Sequence, residues 1–231
     1  MNQFEIIKET SDYIAIDKPS GWMVHNSKIA GEERFVLQAL RDQVNCFLYP
    51  VHRLDRGTSG VLVFAKTKEC AATLGLGFRE NLHQKSYLAI CRGYKEAPWS
   101  CDQPLAKEKG KEKRNAITHF NCLEKLVLDI PFGKFEEMWF SLLEAKPKTG
   151  LYHQIRRHLN RSNLPIVGDR MHGDNRYNHW AKEHLGNERL LLHCNQLTLD
   201  LGNQKKVELN APPPKDFLKV LNELRNHSAS K

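Results

Sequence analysis

The chain has 231 residues, 40% of them apolar, which allows one large domain or two small ones around a sizeable core. Its formal charge of +8 favours a polyanionic partner, while no run of residues approaches membrane-spanning length. Charges in the first ten residues argue against a secretion signal and six cysteines without a C-x-x-C pair argue against a zinc or disulfide scaffold, so a cytoplasmic protein with reduced thiols and no membrane partner is expected.

Phe4 to Lys8 and Tyr13 to Asp17 read as two short strands, followed by a Pro- and Gly-punctuated loop from Lys18 to His25. Val36, Leu37, Leu40 and Val44 fall on one side of a helix predicted over Glu33 to Val44. A strand, a charged turn and a second strand fill Tyr49 to Lys66, and a helix over Lys68 to Glu80 is weakened by Gly75 and Gly77. Gln84 to Gly93 reads as a strand with Tyr87, Ala89 and Cys91 on one face. Residues 101 to 115, rich in lysine and poor in apolar groups, read as a mobile loop. Strands are expected at Ile117 to Leu128 and Met138 to Ala145, then a helix from Gly150 bearing Ile155, Arg156 and Leu159. Pro165 to Asp169 leads into an irregular stretch rich in His and Asn. A hairpin around Gly202-Asn203 and a final helix from Lys215 to Arg225 complete the chain. Many strands and few helices in irregular alternation imply an α+β fold with a mixed, largely antiparallel central sheet and flanking helices. No repeat or convincing linker interrupts it, so a single domain over residues 1–231 is expected.

The charged turn carries the densest chemistry. In His52-Arg53-Leu54-Asp55-Arg56-Gly57-Thr58-Ser59-Gly60 one carboxylate lies between two arginines, directly before the apolar run Val61 to Ala65. Flanking cations keep a carboxylate ionised, and loops held beside a rigid sheet are common places for catalysis. A surface ion-pair cluster is the competing interpretation. An aspartyl phosphotransferase would need a second Asp where Gly57 stands, and Gly57-Thr58-Ser59-Gly60 lacks the spacing of a serine-hydrolase elbow. Tyr87 alone reads as a packing tyrosine and Arg156 as a helix arginine at the border of an apolar face. His153 and His158 are five apart, as are His179 and His184, which is poor spacing for metal ligands on one helix, and no glycine-rich phosphate loop occurs.

Together these segments resemble, in order and spacing, the motifs of the RluA/RsuA-type pseudouridine synthases. Asp17-Lys18-Pro19-Ser20-Gly21-Trp22 resembles the opening motif, His52 to Gly60 the catalytic motif, and Lys85-Ser86-Tyr87 the K-x-Y motif. Gly150 to Leu159 and Pro165 to Asp169 are similar to the two motifs that follow. Within the family, Lys18 to His25, Arg156-Arg157 and His172 to Asn178 resemble the tRNA pseudouridine synthase C group, and in keeping with that group no separate N-terminal RNA-binding module is expected. Leu151 and Tyr152 stand where most relatives have Arg and a polar residue, and the loop after Gly93 is unusually rich in lysine.

The resemblance implies a pseudouridine synthase fold with a basic RNA-binding cleft, acting on a flipped-out uridine. Asp55 would be the nucleophile or charge stabiliser, Arg156 its pairing partner and Tyr87 the residue that stacks on uracil. Arg53 would fill the space vacated in the RNA, with His52, Arg56, Lys109, Lys111, Lys113 and Arg157 as further RNA-binding residues. Phosphate contacts would come from the basic loop and from the face bearing Arg157, His158 and Arg161. An isomerisation needs no cofactor or metal, and a monomer acting on tRNA is expected. Ribosomal or another structured RNA as substrate, or a non-catalytic RNA-binding protein on the same fold, are the alternatives.

Overall fold

The computed structural model describes residues 4–25, 35–106, 111–202 and 204–228. The first half of the chain forms β1 (Glu5–Glu9), β2 (Tyr13–Lys18), α1 (Val36–Val44), β3 (Tyr49–Pro50), β4 (Ser59–Ala65), α2 (Lys68–Arg79), β5 (Gln84–Arg92) and β6 (Trp99–Cys101). Next come β7 (Leu105–Ala106), β8 (Lys113–Arg114), β9 (Thr118–Leu128), β10 (Met138–Pro147), α3 (Gln154–Arg161) and α4 (Asn175–Leu185). The chain closes with β11 (Leu192–Asp200), β12 (Lys206–Asn210) and α5 (Lys215–Ser228). These pack as two compact units, Met1–Lys85 with His193–Pro212, and Ser86–Leu192 with Pro213–Lys231.

In the first unit β4 is the hub. Its sequence, Ser-Gly-Val-Leu-Val-Phe-Ala, has no polar side, and all seven residues are buried, as an interior strand requires. β2 runs antiparallel along one edge, from Tyr13 opposite Ala65 to Lys18 opposite Gly60, and β1 pairs antiparallel with β2. β3 covers Phe64 and Ala65, while β11 meets Ser59 and Gly60 in parallel. β12 returns antiparallel along Gln196 to Asp200 of β11. The helix expected over Glu33 to Val44 begins by Val36 and buries Val36 and Leu40; Glu33 and Arg34 lie outside the described residues. Thr67 caps α2 by accepting from the Cys70 amide at 3.1 Å.

The second unit orders its strands β5-β10-β9-β6, all antiparallel. Leu142 faces Glu124 and Leu143 faces Cys122, so Leu123 is the extra residue of a bulge in β9. Phe217, Val220, Leu221 and Leu224, at helical spacing, form the buried face of α5, which packs on β9. Both units are α+β with mostly antiparallel sheets.

Two expectations need correction. The His- and Asn-rich stretch after Asp169 contains a full helix, α4. The Asp174 carboxylate accepts from the Arg176 and Tyr177 amides, and Tyr177, Trp180, Ala181 and Leu185 supply a buried stripe. The stretch 101–115 is also not wholly loop: Cys101 ends β6, and β7 and β8 pair Leu105 with Arg114 and Ala106 with Lys113. Leu105 is buried, which gives this otherwise polar segment its anchor.

Candidate active site

The turn bearing Asp55 is mounted on the loop that follows β2. Thr58 donates its amide to the Asp55 carbonyl at 3.1 Å, closing the turn. Lys18, fully buried, directs its ammonium to the carbonyls of Pro19, Trp22 and Arg56 at 2.9, 2.9 and 3.3 Å. The Gly21 amide reaches the Arg56 carbonyl at 2.8 Å, Arg56 Nε donates to the Gly21 carbonyl at 3.2 Å, and Ser20 Oγ donates to the Gly57 carbonyl at 2.7 Å. Buried charge is stable only when its donors are used, so Lys18 fixes the loop and the turn to each other. Leu54 is buried beneath, Asp55 is partly exposed, and Arg53 and Arg56 are exposed. The carboxylate and two cations thus share one rigid turn.

His52 faces inward. Its Nε2 accepts the Val63 amide at 2.9 Å, in the stretch of β4 edge between the residues paired with β3 and those paired with β11. Its ring stacks on Phe78 at 4.3 Å, and Phe78 meets His83 edge-on at 4.4 Å. Burial, then the positive Lys85 and then His83, lower its pKa to about 3, so it is a neutral acceptor. Ser59 and His193, 2.9 Å apart, are both buried; Nε2 of His193 donates to the Ala211 carbonyl at 3.0 Å, and the pair ties β4 to the end of β12.

In the second unit, Tyr87 lies on β5 opposite Ala145 and is 9% exposed. The Pro165 to Val167 segment runs beside that strand, with Arg92 donating to the Pro165 carbonyl at 3.0 Å and Val167 to the Ile90 carbonyl at 3.0 Å. It then turns to place Asp169 under α3. Arg156 Nε and Nη2 donate to the two carboxylate oxygens of Asp169, both at 2.7 Å. Met171 and His172 donate their amides to Oδ1 of the same carboxylate at 2.9 and 3.0 Å. Burial would raise the Asp169 pKa, but the Arg156 hydrogen bonds, the two amides and the guanidinium charge outweigh it and hold it below the usual range. The Arg156 plane is therefore set by a fork-to-fork pair. The sequence marked Asp169 as part of a motif without giving it a role. A buried arginine needs a carboxylate, and that requirement is the signal that could have found it.

The turn into α3 is fixed by Gln154, whose amide uses all its positions. Nε2 donates to the Ile117 carbonyl and Thr118 Oγ1, both at 3.0 Å, and Oε1 accepts from Thr149 Oγ1 at 2.8 Å and the Leu151 amide at 3.1 Å. The helix therefore starts at Gln154 rather than Gly150. Its outward cations grip backbone: Arg157 donates to the Ala106 carbonyl at 2.7 Å and Arg161 to that of Pro104 at 3.2 Å. His158 is fully buried between Thr118 Oγ1 at 3.0 Å and the Gln103 carbonyl at 3.1 Å, so it is not the surface phosphate contact its position suggested. Lys111 and Lys113 are exposed, and Lys109 lies outside the described residues. Among the described residues no cluster of three His, Cys, Asp or Glu could hold a metal, and no helix is long and apolar enough to cross a membrane.

Residues 12–161 match the family described as RNA pseudouridylate synthase. The tRNA pseudouridine synthase C of Vibrio cholerae serotype O1 is 40% identical over 204 residues, covering 84% of this chain and 84% of that protein. The protein of the same name from Yersinia pestis is 38% identical over 207 residues, covering 85% of this chain and 80% of its own. Among solved structures, human RNA pseudouridylate synthase domain containing 4 superposes with a TM-score of 0.71 at 25% identity, covering 96% of this chain and 93% of that one. Human RNA pseudouridylate synthase domain containing 1 gives 0.74 at 22% identity, over 92% and 84% of the two chains, a likeness of fold. Match and fold agree over most of the sequence, and the chain belongs to the RNA pseudouridylate synthase family.

Proposed function

We propose that this protein isomerises uridine to pseudouridine in tRNA, with Asp55, Tyr87 and Arg156 as its catalytic residues. The observation that carries the substrate is the identity of 38% and 40%, over most of both chains, to two proteins named tRNA pseudouridine synthase C. In the reaction the bond from ribose C1′ to uracil N1 breaks, the base turns, a bond from C1′ to C5 forms, and the C5 proton leaves while N1 gains one. Asp55 acts at C1′, as nucleophile or as the charge that stabilises electron deficiency there. Tyr87 stacks on the detached base, and the orientation that Asp169 gives Arg156 supports its positioning role. Arg53, Arg56, Arg157, Lys109, Lys111 and Lys113 provide cations for phosphates and vacated base positions. His52, whose imidazole is taken up by the Val63 amide and the Phe78 ring, supports the Asp55 turn and does not contact RNA. A cytoplasmic monomer without cofactor fits this chemistry.

The test is tritium release from uracil C5, with tRNA and ribosomal RNA offered separately. The wild type should release tritium from tRNA. Asp55→Asn should still fold and bind tRNA, with the rate reduced at least about 10³-fold. Release by the variant at the wild-type rate would remove Asp55 from the mechanism, and release from ribosomal RNA alone would change the substrate.

A further inference from the structure

Tyr152 is a large aromatic residue that the fold leaves outside, with 46% of its surface exposed. Core packing does not account for it. Its ring stacks on His153 at 3.7 Å between centroids and 22° between planes. His153 in turn is held twice: its backbone is left-handed, with φ of 51°, and its Nδ1 lies 3.0 Å from Nε2 of His172. His172 is itself fixed by its amide on Asp169. The turn that presents Tyr152 is closed by the saturated Gln154 amide. One face of the ring is thus backed by a locked imidazole on a locked turn, and just under half of the residue's surface is open to solvent.

The surroundings are chemically consistent. Arg157, half-buried with its guanidinium on the Ala106 carbonyl, interacts electrostatically with Tyr152, and Lys148, which is exposed, stands four residues before it in the chain. Met171, 64% exposed, precedes His172 and adds a soft apolar group to the stack's neighbourhood. A rigid, half-exposed aromatic ring with a cation beside it is the arrangement that holds single-stranded nucleic acid: the ring takes a base face and the cation takes phosphate. Because the ring is already ordered, little conformational freedom is lost when a base lands on it.

We infer that Tyr152 is a stacking platform for an unpaired base of the RNA substrate, separate from the uridine that is isomerised, and so helps decide which RNA loop is accepted. The inference rests on the RNA-modifying activity proposed above. It concerns binding, so it acts on KM and not on the chemical step.

The test compares Tyr152→Ala, Tyr152→Phe and Tyr152→Trp, with thermal melting to establish that each is folded. Tyr152→Ala should raise KM for tRNA about tenfold, with the loss in KM rather than kcat. Tyr152→Phe and Tyr152→Trp should stay within about twofold of wild type, since both keep a flat ring. In an Asp55→Asn background, the tryptophan of Tyr152→Trp should be quenched when tRNA binds. The salt dependence of binding should be the same for wild type and Tyr152→Ala, because stacking releases no counterions. An unchanged KM for Tyr152→Ala, an equal loss in Tyr152→Phe, or an unquenched tryptophan would each overturn the platform. Binding of tRNA that depends on the ring, without any tritium release by the wild type, would uphold the platform and reject the proposed activity.

Discussion

His52 stands three residues before Asp55, yet its imidazole belongs to the fold, accepting the Val63 amide and stacking on Phe78. The unfolded chain binds a proton there below about pH 6.5, while the folded chain does so only near pH 3. Stability should therefore fall as pH drops through that window, by at most about 1.4 kcal/mol per pH unit from this residue. Urea unfolding between pH 7 and pH 4 should show a shallower decline in His52→Gln, which keeps an acceptor but does not titrate. Equal declines would mean that His52 is not the titrating group. The sequence placed Asp55 and its arginines correctly on one turn, because they are contiguous. Which way His52 points depends on a gap in strand pairing beside Val63, and one side of that gap is set by β11, far along the chain. Asp169 was hidden for a similar reason, since its partner Arg156 lies thirteen residues earlier on another element.

At the level of elements, two glycines near the Asp55 turn serve different physical needs. Gly60 on β4 has φ of +111°, and a Cβ there would stand 2.1 Å from the Cys194 carbonyl oxygen, so β11 can approach only a residue without a side chain. Gly21 has φ of +90° but open space around it. Alanine at Gly21 should cost only backbone strain, about 1 to 2 kcal/mol. Alanine at Gly60 adds a backbone clash and should cost more than about 3 kcal/mol or prevent folding. Urea denaturation of the two variants checks the order, and equal losses would refute the steric account. α4 shows where element reading failed. Its cap at Asp174, its apolar spacing and the closing Gly186 were all present in the sequence, but Arg176, His179, Lys182 and Glu183 on the outer face diluted the pattern. The strands of the β9–β10 pair were legible because each is long and apolar on one side.

For the molecule as a whole, the charge of +8 favours RNA, and the number of phosphates its cations contact sets how binding responds to salt. Each phosphate contact removed should flatten the slope of log K against log salt by roughly 0.7 to 0.9. Replacing Lys111 and Lys113 together by alanine should flatten it by roughly 1.4 to 1.8 and weaken tRNA and unrelated RNA alike. Filter-binding titrations across salt concentrations measure this, and an unchanged slope would show that the two lysines touch no phosphate. The sign of the charge was legible from composition, but its mounting was not. Arg157, His158 and Arg161 reach back to the carbonyls of Ala106, Gln103 and Pro104, groups that every residue type possesses. Apart from the buried Leu105, the fastening of the β7–β8 ribbon is therefore indifferent to the side chains it fastens. So long as an apolar residue keeps the place of Leu105, evolution can exchange that ribbon for one of another length or composition without redesigning the helix that holds it.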